Sequence, residues 1–572
     1  MIKSEKRRVM DWKKISLLSG MAIVTWLLMI EWTQFDVSSE ELGKVGGVKQ
    51  AVNGEIPNII DSEAQPDVLP AGDDLPALAS KVVVSAPVEN DAGNLVRVRT
   101  QVFDLLIDLY GGDIVSVKLL DHLNEMPADG GVPLQIFERS NERRYIASSG
   151  LIGVDGTDSK DSGRPLFNVR ARDFVLGDQQ ALDVDLVVQQ GLVEVVKRFS
   201  FTRDSYKIGV NYRIDNNSSN DWQASFFGQI KRDASEPLAL TTALGQQPFL
   251  GAALRGPETN FVKYDFDDID DKPVAVSLEG GWIAFLQHYY VAAWIPPRAE
   301  ENRYSVKRSN ALNPLYLLSV VGQPLTVPSG EQGTYSALLY VGPKDQSELE
   351  SLAEYLDLVV DYGIFWIICK PIYQTMVAIH GVVGNWGWAI IVLTILIKLL
   401  LFPLSAKSLK SMARMRSLQP EMDRLKELYG EDRQKMSQEQ MALWKREKVN
   451  PLGGCLPMLL QMPVFISLYW VLSESVEIRH APWLLWIKDL SAMDPYFILP
   501  LMMGLSMVLM QKMQPVPSDP MQAKVMQYMP IAFTFMFLWF PSGLVLYWTV
   551  NNLLSMGQQW FVNRQILRKE SV

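Results

Sequence analysis

The stretch Ile390-Ile-Val-Leu-Thr-Ile-Leu-Ile-Lys-Leu-Leu-Leu-Phe402 is apolar throughout except for Thr394 and Lys398. Extended back to Trp386, it is long enough for one short crossing of a bilayer, and Pro403 ends it. Thr394 and Lys398 lie one turn apart and so share a helix face. An ammonium in hydrocarbon costs at least ~2.5 kcal/mol. Lys398 therefore either snorkels to the nearby cytoplasmic surface or faces a wet interior, and the stretch itself leaves both open.

Four further apolar runs follow: Cys455 to Leu472, Tyr496 to Met510, Val525 to Phe540 and, after the break Pro541-Ser-Gly, Leu544 to Val562. Several are short, which suits a thin or locally thinned bilayer. Polar residues recur inside them. The second span carries Gln461 beside Met462 and Pro463; the last carries Tyr547, Asn551 and Gln558 near one face, with Asn552 and Gln559 beside it. They suggest a hydrophilic groove, with hydrogen bonding between helices as the plainer alternative. The methionines around Met502 to Met536 read either as packing filler or as an adaptable apolar surface.

Between the first two spans, residues 404–450 are strongly basic, with one apolar stripe of Leu418, Met422, Leu425 and Leu428 before Gly430 and another, to which Met436, Met441 and Leu443 contribute, after it. This predicts a cytoplasmic helical hairpin. Lys512 and Lys524 mark another cytoplasmic loop, and Arg564, Arg568 and Lys569 a short cytoplasmic tail, 564–572. The loop from Ser473 to Pro495 has more acidic residues than basic ones and belongs outside. The loops then alternate as the positive-inside rule requires.

At the other end, Lys3, Lys6, Arg7, Arg8, Lys13 and Lys14 precede an apolar run from Ile15 to Ile30 with no small-residue cleavage site after it. Residues 1–35 read as an uncleaved signal anchor with a cytoplasmic N-terminus. Residues 36–80 are an acidic linker with scattered Pro and Gly. From 81 to 342 the pattern alternates with period two, as in Ala181-Leu-Asp-Val-Asp-Leu-Val-Val, and turn signals such as Tyr110-Gly-Gly-Asp separate the strands. This predicts a β-sandwich. In 343–383, Leu349, Leu352, Leu356 and Val359 recur at helical spacing, and Tyr362 to Val383 mixes aromatics with Lys370-Pro371. Amphipathic helices on the outer membrane surface fit better there than a further span.

The 572 residues carry 64 acidic and 54 basic side chains, a net charge of -10 that disfavours nucleic acid as a partner. The two cysteines, Cys369 and Cys455, exclude a disulfide framework in the β domain. No phosphate-binding loop, zinc motif, nucleophile–base pair or mid-span carboxylate is present, which disfavours enzymes, metal sites, cofactors and ion-driven pumps. The expected architecture is a membrane protein. It has an all-α five-helix transmembrane core (384–563), the anchor helix, an all-β periplasmic sandwich domain and the cytoplasmic hairpin.

Several long runs resemble the YidC family of membrane protein insertases. They are Lys448-Val-Asn-Pro-Leu-Gly-Gly-Cys-Leu-Pro-Met-Leu-Leu-Gln-Met-Pro-Val-Phe, Gly384-Asn-Trp-Gly-Trp, Asp489-Leu-Ser-Ala-Met-Asp-Pro-Tyr and Leu538-Trp-Phe-Pro-Ser-Gly-Leu-Val-Leu-Tyr-Trp. The resemblance covers about Asp361 to Gln559, and the anchor and β domain resemble the Gram-negative branch. It implies a bacterial inner-membrane insertase and chaperone. Its groove, open to the cytoplasm and to lipid, holds one basic residue that attracts the polar part of a substrate. Lys398 stands at that position, where most bacterial members have arginine; lysine keeps the charge and loses the bidentate fork. The resemblance also implies groove roles for Thr394, Met462, Pro463, Tyr547 and Trp548, the last where a second tyrosine is frequent. Gln461 and Asn551 complete the expected groove from the polarity of the spans alone. Implied partners are nascent membrane proteins, the Sec translocon and its accessory subunits, the ribosome or signal recognition particle pathway, and membrane lipids. A small-solute channel and a purely structural receptor are the competing readings.

Overall fold

The computed structural model describes residues 92–159, 163–235, 248–257, 259–310, 313–429, 432–447, 449, 456–514 and 520–570. The expected anchor, the acidic linker, the first residues of the β domain, Cys455 and most of the Lys448–Cys455 motif lie outside the described residues.

Strand Lys207–Asn216 shows why the N-terminal half folds as it does. Ile208, Val210, Tyr212 and Ile214 alternate with half-buried polar residues, so one face enters the core. It pairs antiparallel with Val193–Thr202 on one side and Gln332–Pro343 on the other. These belong to a nine-stranded sheet that faces a ten-stranded one. Val96, Leu105 and Val117 from one sheet share a single core with Val184, Val195 and Val210 from the other. Each such side chain contributes roughly 1.5–3 kcal/mol by leaving water. One lysine crosses this core. Lys197 is fully buried and donates to the carbonyls of Gly111, Gly112 and Ser149, at 3.1, 2.8 and 2.9 Å. Gly112 has φ +61°, and a Cβ there would meet the Lys197 chain at 3.0 Å, so glycine is required on both counts.

A short helix, α1 (Phe266–Asp271), decorates the sandwich, with a capping box between Asp265 and Asp268. The outer face of the nine-stranded sheet is covered by α2 (Gln346–Leu352) and a 3-10 turn, Leu356–Val359. Leu349, Leu352, Leu356 and Val359 pack there on Trp282, Ala284 and Tyr340. Strands Ile283–Leu286 and Tyr290–Ile295 are accordingly buried on both faces and read as unbroken apolar runs. The helix expected across this segment is broken: Tyr355 sits at φ +65°, yet the apolar residues keep one face across the break.

The C-terminal half is helical. It comprises α3 (Trp366–Val383), α4 (Trp386–Leu400), α5 (Phe402–Ser417), α6 (Gln419–Tyr429) and α7 (Arg433–Arg446), then α8 (Leu456–Glu474), α9 (Ile498–Lys512), α10 (Pro520–Met536) and α11 (Ser542–Glu570). Gly384, at φ +70°, closes α3, and the Asn385 side chain caps α4 by accepting from Trp388 N. Ile372 and Met376 of α3, Ile390 and Leu393 of α4, Leu468 and Leu472 of α8, Met503 of α9 and Leu544 of α11 form one apolar cluster. Pro403 does not simply stop a helix. It sits in the first turn of α5, where its missing N–H costs nothing, and α5 departs from α4 at 68°. The basic segment is thus three helices, with α5 preceding the α6–α7 hairpin. Among the described residues no single helix is long and apolar enough to cross a membrane; the bent pair α4–α5 meets both criteria together.

Candidate functional site

Three helices bring the polar residues of the core together. α4 carries Lys398 in its last turn, α8 carries Gln461 in its first half, and α11 carries Tyr547, Asn551 and Ser555 at successive steps of four along one face. Lys398 is only 8% exposed, and its Nζ donates to Gln461 Oε1 at 3.1 Å and to Ser555 Oγ at 2.7 Å. With Oε1 committed to the ammonium, the Gln461 amide nitrogen donates to Tyr547 OH at 2.7 Å and Asn551 Oδ1 at 2.6 Å. Ser555 Oγ donates to Asn551 O at 2.7 Å, which leaves a lone pair for Lys398. Gln558 Nε2 reaches the Lys398 carbonyl at 3.5 Å.

No carboxylate among the described residues lies within ion-pair distance of Lys398. Burying an unpaired ammonium costs several kcal/mol, and neutral acceptors return only part of it. The site therefore holds a positive charge without cancelling it. On the Tyr547 side the network is bounded by buried Ile390, Leu393, Leu490, Leu544 and Val545. That end is sealed by backbone bonds between the loop before α9 and the start of α11: Ser542 N to Ala492 O at 2.7 Å and Gly543 N to Leu490 O at 2.9 Å.

The other residues singled out from the sequence fall differently. Thr394 is buried one turn from Lys398, and its hydroxyl donates to its own helix at Ile390 O, 2.6 Å. Met462 and Pro463 are half-buried beside Gln461, and Pro463 removes a backbone donor inside α8. Trp548 turns away from the lysine and joins Phe465, Phe533 and Phe537 in an aromatic cluster between α8, α10 and α11. Asn552 and Gln559 bond α11 to α9 and its end, through Ser506 Oγ at 2.9 Å and Met513 O at 2.9 Å. Ser555 was not anticipated. A serine is unremarkable in a helix, and only its step of four from Asn551 pointed to this face.

A second polar region lies where the β domain meets the core. A cavity of about 440 Å³ there is lined by Asn124, Asp129, His288, Arg479, His480 and Asp489 among others. Burial, reinforced by the charge of Lys344, pushes His288 down to about 3. It is therefore neutral, and Glu474 at 3.9 Å is a neighbour rather than an ion-pair partner. Among the described residues no three His, Cys, Asp or Glu side chains are grouped to hold a metal.

Two family models match the chain: "60Kd inner membrane protein" over residues 378–569 and "YidC periplasmic domain" over residues 95–375. "Membrane protein insertase YidC" of Azotobacter vinelandii is 47% identical over 562 residues, covering 97% of this chain and 99% of its own length. The protein of that name from Stutzerimonas stutzeri is 48% identical, with 97% and 99% covered. A solved structure described as an active YidC insertase with its first transmembrane domain resolved aligns at TM-score 0.37 and 18% identity, covering 82% of this chain and 92% of its own.

Proposed function

The chain belongs to the YidC family of membrane protein insertases, and on that premise we propose that it inserts helices of nascent membrane proteins through a groove centred on Lys398. The family is one of inner-membrane proteins with a periplasmic domain. The observation that carries the groove reading is the buried, un-neutralised ammonium hydrogen-bonded from two other helices. A fixed positive charge in a poorly solvated site attracts a polar or acidic substrate segment and lowers the cost of bringing it partway across. Burial of the substrate's own apolar helix in lipid then supplies the driving force, roughly 25 cal/mol per Å², without a fuel site.

In this reading residues 384–563 form the five-span unit. α5 to α7 and both termini are cytoplasmic and the β domain periplasmic, as the basic loops require. α4, with 15 residues, rises about 22 Å, less than the ~30 Å hydrocarbon core, so the surrounding bilayer thins. Met462 and Pro463, half-buried beside Gln461, line the path of the apolar substrate helix, and Thr394 and Trp548 pack behind it. The Sec translocon and the ribosome or signal recognition particle pathway are its working partners, with the β domain facing the Sec accessory subunits.

The test is photo-crosslinking to a ribosome-stalled nascent chain from Asn551, in the lysine network, and from Asn552, bonded to α9. Crosslinks from 551 and none from 552 support the groove; equal crosslinking from both positions contradicts it.

A further inference from the structure

The environment of Lys398 does more than tolerate a charge. An ammonium has three N–H donors and rotates freely about its last bond, so an isolated lysine offers no fixed direction. Here two donors are taken, by Gln461 Oε1 and Ser555 Oγ, and both acceptors are themselves held. Gln461 is locked by donating to Tyr547 OH and Asn551 Oδ1. Ser555 is locked because its hydroxyl hydrogen goes to Asn551 O one turn back. Asn551 thus anchors both acceptors, one through its side chain and one through its carbonyl.

Resting on the groove reading above, we propose that Ser555 is a positioning residue. With Gln461 it forms an acceptor cradle that aims the single remaining N–H of Lys398 at the substrate. The ligand this geometry selects is one carboxylate oxygen, held by one charge-assisted hydrogen bond. A guanidinium, with five donors in a fork, would hold a carboxylate through two. The cradle gives lysine the directionality that arginine has from its own plane. Ser555 contributes through Lys398 and does not itself touch substrate.

The experiment measures insertion of a Sec-independent substrate in two forms, one with an acidic translocated tail and one with Asn and Gln replacing its carboxylates. Four proteins are compared: the parent, Ser555→Ala, Ser555→Thr and Lys398→Met. Each rate is normalised to folded protein in the membrane. The expected result is that Ser555→Ala lowers the acidic-to-neutral ratio about threefold to tenfold, the loss of one hydrogen bond to a charge. Ser555→Thr, which keeps the oxygen, restores most of it. Equal loss with both tails would make Ser555 a packing residue and overturn the proposal. So would an unchanged ratio in Ser555→Ala while Lys398→Met loses it, and that outcome leaves the groove reading standing. A Lys398→Met protein with the parental ratio overturns both.

Discussion

Arg479, on the loop after α8, binds Asn124 of the β domain: its Nη2 donates to the Asn124 carbonyl at 2.8 Å. Nη1 donates to the neighbouring Leu123 carbonyl at 2.7 Å and to Tyr290 OH at 3.2 Å. Val476, three residues earlier, is buried in the sandwich core. One loop thus ties the β domain to the segment that seals the Tyr547 end of the lysine network. Arg479→Ala removes every one of these bonds and leaves carbonyls half-satisfied, at a cost of about 1.5–3 kcal/mol to docking. Hydrogen exchange should quicken around residues 123–132 and 476–481, while the strands of the sandwich keep their protection.

The same junction should weaken in acid. Burial, with the charges of Arg479 and His480, pushes His122 down to about 4, as burial and the charge of Lys344 push His288 to about 3. For His288 these effects are opposed by its contact with the Ser473 backbone. A histidine whose folded pKa lies below its unfolded value of about 6.5 binds fewer protons when folded. Stability is therefore fully present above pH ~6.5 and is lost as pH falls from there towards the folded values, by about 1.4 kcal/mol per unit for each group. Glu474, 3.9 Å from His288, is pushed the other way by burial, up to about 7, and so gains stability over the same range. The fall of thermal melts between pH 7 and pH 5 should therefore be steeper in Glu474→Gln than in the parent, and shallower in His288→Gln.

Asp494 looks from the sequence like one more solvated acid in an external loop. It is 1% exposed and accepts from Tyr496 N at 3.0 Å, Leu499 N at 2.7 Å and Trp486 Nε1 at 3.1 Å, fastening the start of α9 to the loop. Asp494→Ala should cost about 1–3 kcal/mol by stranding buried donors, and Asp494→Asn should recover part of it. Melting temperature in detergent or nanodiscs reads both.

How much of this was legible beforehand depended on whether a residue's partner was local. Period-two alternation marked strands such as Lys207–Asn216, because one face of that sheet is buried and the pattern is written in consecutive residues. Lys398, Gln461, Tyr547 and Asn551 were legible because polar side chains inside apolar helices demand an explanation, and they do form one network. Ser555 was not, because a small hydroxyl satisfies itself on its own helix and shows nothing unusual until α4 is placed against it. Trp548 is adjacent to Tyr547, yet a helix turns about 100° per residue, which delivers it to the aromatic cluster instead. Pro403 marks an end in the sequence pattern and is also a beginning, in the first turn of α5. Proline signals a boundary equally well from either side, and only the structure shows that α5 leaves at 68° and packs on α11 through Leu409, Met412 and Val562.

The central claim is that the charge of Lys398 carries insertion. The direct measurement is the insertion of a Sec-independent substrate into the inner membrane of cells in which this protein is the sole insertase, comparing Lys398→Ala and Lys398→Arg with the parent. Removing the charge should cut insertion at least tenfold, about 1.4 kcal/mol or more in the barrier, while arginine keeps near-parental rates. An alanine protein that is folded, abundant and fully active would contradict the account.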